Sequence, residues 1–150
     1  KGVQGGVDLP LKIVFTVPVF CNFPLSAFNV SRSAMPSLTL TTNMDMGKEA
    51  KLAFMQKASK IVSEVLGKPE TCVAIAVLDN QSMIWAGEDT PCCLGTLNSL
   101  GAINLENNGQ ITAQVSELLS EFSIPNDRIY IAFNDIAREN MGWSGKTFAG

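Results

Sequence analysis

Pro69-Glu70-Thr71-Cys72-Val73-Ala74-Ile75-Ala76-Val77 and Pro125-Asn126-Asp127-Arg128-Ile129-Tyr130-Ile131-Ala132-Phe133 are one segment written twice. Proline, isoleucine and alanine recur 56 residues apart, and the apolar pattern coincides elsewhere. Each copy is preceded by a helical pattern. In the first, Phe54, Ala58, Ile61 and Val65 step along one face, Gly67 stands where a left-handed cap belongs, and Pro69 forbids continuation. In the second, Asn107 or Asn108 can cap a helix whose face is Ile111, Val115, Leu118, Leu119 and Phe122, with Pro125 as the breaker.

A strand signal precedes each helix in turn. Ser37 to Thr42 alternates Leu38 and Leu40 with polar residues, the period of a half-buried strand. Cys92 to Leu100 is its counterpart, closed by Gly101. The unbroken apolar run Cys72–Leu78 predicts a strand covered on both faces, and a short strand is expected around Met83-Ile84-Trp85. Two β-α-β units in tandem define an α+β, two-layer sandwich: a four-stranded mixed sheet with both helices on one face. The other face then lacks cover within the chain, so an oligomer is expected.

Composition narrows the function classes. With 46% hydrophobic and 17% charged residues the chain can bury a core rather than stay disordered. The net charge of −3 is uneven: residues 1–34 carry +2 and the remainder −5. An acidic domain without a basic stripe is not a nucleic-acid binder. Histidine is absent, which excludes histidine-based triads and H-E-x-x-H zinc sites. Cys21, Cys72, Cys92 and Cys93 contain no C-x-x-C pair, so buried thiols are expected rather than a metal site or disulfide framework.

Residues 1–34 read as an appendage, and the domain is expected to span residues 35–150. The run Leu11–Phe20 is interrupted by Lys12 and Pro18 and is too short for a bilayer, so no membrane partner is expected. Arg32-Ser33-Ala34 faintly resembles the end of a processed leader; a translated upstream sequence, an expression scar and a retained arm are the other readings. Met35-Pro36 looks like a start codon followed by the first mature residue. If Pro36 were the N-terminus it would carry a free secondary amine, a base that no internal residue supplies.

Singly, the remaining features are unspecific. Gly142-Trp143-Ser144-Gly145 is not a nucleophile elbow, Gly67-Lys68 lacks the upstream glycine of a P-loop, and Tyr130 alone reads as core or interface. Lys68 alone reads as a charge complementing the first helix's dipole. Together, Met35-Pro36 opening a strand, Gly67-Lys68-Pro69, Ser99-Leu100-Gly101, Asp127-Arg128-Ile129-Tyr130-Ile131 and Gly142-Trp143 with Phe148 resemble the macrophage migration inhibitory factor family of the tautomerase superfamily.

The resemblance implies a homotrimer that interconverts keto and enol forms of phenylpyruvate- and dopachrome-type compounds, an intramolecular oxidoreductase needing no metal or cofactor. Pro36 matches the catalytic N-terminal proline, and Lys68 the lysine that binds the substrate carboxylate. Leu100 takes the place of an isoleucine whose backbone contacts substrate. Tyr130, from the neighbouring subunit, and Met141, Trp143 and Phe148 match pocket-lining positions. The resemblance also implies cytokine-like signalling through a cell-surface receptor, with leaderless secretion, a cytoplasmic pool, or both. Departures exist. Gly95 replaces the second cysteine of a C-x-x-C pair found in mammalian members, Ala132 replaces a pocket asparagine, Cys72 a pocket-rim tyrosine, and Ser37 a methionine. A receptor-binding homologue with vestigial catalysis, and a pseudoenzyme retaining residues 1–34, are the rival readings.

Overall fold

The structure is a computed structural model that describes residues 35–150; the expectations for residues 1–34 lie outside the described residues. The elements follow the tandem plan: β1 (Ser37–Thr42), α1 (Lys48–Leu66), β2 (Ala74–Leu78), β3 (Cys93–Ser99), α2 (Leu105–Ser120) and β4 (Ile129–Asp135). A small hairpin, β5 (Gly142–Trp143) and β6 (Lys146–Thr147), follows. The sheet order is β2-β1-β3-β4. Each β-α-β unit pairs its strands in parallel, and β1 meets β3 antiparallel, which makes the sheet mixed.

Alternation in the strands sorts their side chains. Leu38, Leu40, Cys93, Leu97 and Ile129 point toward the helices and are buried with Phe54, Ala58, Val62, Ile111, Val115 and Leu119. Phe54 of α1 also meets Phe122, beyond the end of α2, edge to face at 5.9 Å. Gly95 lies on this inner face. A Cβ there would come within 2.8 Å of Leu40 Cδ2 and 3.1 Å of Ile131 Cγ1, so a cysteine at this position requires the Leu40 and Ile131 side chains to shift. Cys92 and Cys93 are fully buried free thiols, and Cys72 is a half-buried one.

Four expectations are refined. The buried line of α1 is Phe54, Ala58, Val62 and Leu66; Ile61 and Val65 flank it half-buried. The cap of α2 is Asn104, whose side chain accepts the Asn107 N–H, not Asn107 or Asn108. The first turn of α2 is solvent-facing, with Leu105 exposed, so apolar periodicity does not reach it. The apolar run from Cys72 does not become a doubly covered strand. Glu70–Cys72 close a 3₁₀ turn, and β2 is an edge strand whose Ala74, Ala76 and Leu78 are open to solvent in the single chain. Met83-Ile84-Trp85 contributes one isolated bridge, Trp85 with Glu88, rather than a strand.

Burial, with Cys92 beside it, pushes the Cys93 thiol from its ordinary 9.0 up to about 12. Between those values the unfolded chain releases the proton and the folded chain keeps it. Stability therefore falls as pH rises across that window, by up to about 1.4 kcal/mol per pH unit. Urea unfolding at a series of pH values above 9.0 should show this slope, and Cys93→Val should lose it. Parallel slopes in the two proteins would refute the assignment.

Candidate active site

Pro36 sits immediately ahead of β1 and is fully buried. Its ring fixes φ, and the lack of an N–H costs nothing at a strand entrance. Its carbonyl accepts the Ala74 N–H at 2.9 Å, which ties it to β2. In the 150-residue chain its nitrogen is acylated by Met35 and carries no basic lone pair.

Lys68 reaches the same end of the sheet because of how α1 stops. Gly67 adopts the left-handed conformation, φ 61°, and the amides of Gly67 and Lys68 return to Glu64 and Ser63 carbonyls. Ser63 Oγ donates to the Lys68 carbonyl at 2.6 Å. The cap turns Lys68 inward rather than out along the helix axis. Its side chain is 4% exposed, and Nζ donates to the Leu100 carbonyl at 2.7 Å. This is a buried cation with a defined acceptor, not a solvent-facing partner for the helix dipole. Desolvation pulls its pKa below the ordinary lysine value, while Asp135 and Cys72 act in the opposite direction.

Leu100 opens a strained turn. Gly101 and Ala102 are both left-handed, with φ of 73° and 65°, and for alanine that geometry costs about 1–2 kcal/mol. Side chains hold the turn in place. Asp135 Oδ1 accepts the Gly101 N–H at 2.7 Å, Ser99 Oγ donates to the Gly101 carbonyl at 2.9 Å, and Asn107 Nδ2 donates to the Ala102 carbonyl at 2.9 Å. Asp135 and Ser99 were absent from the sequence-based site. A carboxylate at a strand end carries no signal until the strand pairing places it opposite Ser99.

The remaining candidates lie elsewhere. Tyr130 is the second residue of β4, opposite Leu94, which in turn faces Thr41 at the far end of β1. Five residue-to-residue steps along β1 separate Thr41 from Pro36, about 17 Å. Tyr130 is 67% exposed on the open face and packs on Trp85, with ring centroids 4.3 Å apart. Arg128 lies over the Trp85 ring at 5.9 Å. Met141, Trp143 and Phe148 belong to the hairpin after β4. The Phe148 N–H donates to the Met141 carbonyl at 3.0 Å, and the Trp143 and Phe148 rings lie parallel with centroids 6.3 Å apart. The structure thus gathers Pro36, Lys68 and Leu100 at one sheet end, sets Tyr130 at the other, and carries three residues on a separate hairpin.

Comparison with known proteins matches this architecture. The family described as macrophage migration inhibitory factor (MIF) matches residues 35–149. The macrophage migration inhibitory factor homolog of Brugia malayi is 37% identical over 115 residues, 76% of this chain and 99% of that protein. Mouse macrophage migration inhibitory factor is 32% identical over 116 residues, covering 77% of this chain and all of that protein. The solved macrophage migration inhibitory factor of Trichinella spiralis superposes with a TM-score of 0.65 at 31% identity, over 74% of this chain and 98% of that one.

A tandem β-α-β domain with these relatives is a tautomerase-superfamily protein. Within that class, the chain belongs to the macrophage migration inhibitory factor family.

Proposed function

We propose that the domain is a keto–enol tautomerase for phenylpyruvate- and dopachrome-type substrates, working as a homotrimer, with Pro36 as general base and acid once it is the N-terminal residue. The observation that carries this reading is the buried Lys68 cation at the sheet end where Pro36 heads β1. A free Pro36 amine takes the proton from the carbon next to the ketone. The electron pair moves to the carbonyl oxygen as the enolate, and the resulting ammonium returns the proton to that oxygen. The base must be neutral near pH 7, and an ordinary α-amino group titrates near 7.7–8.0. An apolar surround and a nearby cation both disfavour the ammonium, so both favour the working form. Lys68 meets the substrate carboxylate and stabilises developing enolate charge.

The trimer enters through the open sheet face. Ala74, Ala76, Leu78, Leu94, Tyr130 and Ala132 make a largely apolar surface, of the kind that further copies cover. A copy seated there lets its Tyr130 approach this chain's Pro36, a distance that Tyr130 of the same chain does not cross. Met141, Trp143 and Phe148 then supply an apolar slot for the substrate ring.

A second reading, a receptor-binding cytokine homologue with weak catalysis, is favoured by Cys72 and Ala132, which contribute neither a phenol nor an amide to the pocket. Either activity fits a protein present in the cytoplasm and released without a leader. Protein whose first residue is Pro36 should tautomerise phenylpyruvate, and Lys68→Gln should raise KM about 10- to 100-fold with a smaller change in kcat. A correctly assembled Pro36-first protein with no turnover, but with saturable binding to the family's receptor ectodomain, would replace the first reading by the second.

A further inference from the structure

We propose that Asp135 is a positioning residue for this site: it clamps the Leu100–Gly101 turn that anchors Lys68 and presents a negative charge to the buried lysine. The functional meaning rests on the reading of Lys68 as the carboxylate-binding cation; the structural content does not.

The geometry forms a closed chain of contacts. Lys68 Nζ donates to the Leu100 carbonyl, so a shift of that carbonyl is felt directly by the cation. The carbonyl belongs to a turn that runs left-handed at two successive residues, one of them alanine, and such a turn persists only where its surroundings over-determine it. Asp135 supplies a charged acceptor to the Gly101 amide at 2.7 Å. Asp135 is itself fixed, because β4 pairs it with Ser99 and the next amide, Ile136 N–H, donates to the Ser99 carbonyl at 2.8 Å. One carboxylate at the end of β4 thereby connects the strand, the turn and the cation.

Charge gives Asp135 its second role. Among the described residues, the titratable groups that act on Lys68 are Asp135 from β4 and Cys72 from the 3₁₀ turn. Burial favours the neutral amine, and Asp135 counters it. Only the cationic form pairs with a substrate carboxylate, so Asp135 extends the pH range over which the site holds that substrate.

Two near-isosteric variants of the full chain separate the roles. Asp135→Asn keeps an acceptor for the Gly101 amide and removes the charge. Asp135→Glu keeps the charge and displaces the acceptor by one methylene. With lysine isotopically labelled for NMR, the Lys68 titration midpoint should move to lower pH in Asp135→Asn and stay near the wild-type position in Asp135→Glu. Hydrogen exchange at the Gly101 amide should accelerate at least about tenfold in Asp135→Glu, reporting a loosened turn, and change little in Asp135→Asn. Neither readout requires turnover, so an inactive protein showing both shifts supports the role of Asp135 while removing the tautomerase reading. A Lys68 midpoint identical in all three proteins, or Gly101 exchange unchanged in Asp135→Glu, overturns the proposal.

Discussion

Protein released so that Pro36 is its first residue should convert phenylpyruvate at least about 100-fold faster than the same chain with Met35 still attached. The reason is the valence of one nitrogen. Acylated by Met35, the proline nitrogen shares its lone pair with a carbonyl and has no useful basicity. Freed, it is a secondary amine held in place by a buried ring and by the Pro36 carbonyl's bond to Ala74. Pro36→Gly in the released protein keeps a terminal amine but loses the ring that fills the buried slot and orients the nitrogen. We expect a loss of about 100-fold or more in kcat/KM, within the range for removal of a general base. Initial rates at neutral pH, with intact mass confirming each N-terminus, decide the matter. Equal rates with and without Met35 would mean that another group is the base.

Leu97→Ala should be the most damaging of the simple truncations, at about 2–5 kcal/mol. Leu97 is fully buried at the centre of the sheet, between Leu38 of β1 and Phe133 of β4. Both flanking strands and both helices close over the void left by its removal, so the site has little freedom to collapse. Against a total stability of about 5–15 kcal/mol that loss is large. Leu105→Ala is the control: the same chemical change at a 92% exposed residue should stay within about 0.5 kcal/mol. Urea unfolding of the two variants measures both. If Leu97→Ala shifted the midpoint no more than Leu105→Ala, the core would not be centred on β3.

The elements of the fold were legible because each has a local cause. Apolar spacing in α1 and α2, the left-handed Gly67 followed by Pro69, and alternation around Leu38 and Leu40 are short-range effects written in adjacent residues. The duplication at 56 residues extended that reading to topology, since two β-α-β units can join into one sheet in few ways. Lys68 and Tyr130 were named because the family resemblance joins signals that are individually unspecific.

What the sequence by itself determined, then, is the two helices, the four strands of the main sheet, the tandem plan and the identity of the residues able to carry chemistry. Tertiary structure alone decided where those residues stand. It made β2 an edge strand, turned Lys68 inward onto Leu100, and gave Asp135 its place at Gly101. It also put Tyr130 about 17 Å along the sheet from Pro36, at the far end of its own chain. These outcomes depend on strand order and register, which bring together residues distant in sequence, and no local pattern records a contact of that kind.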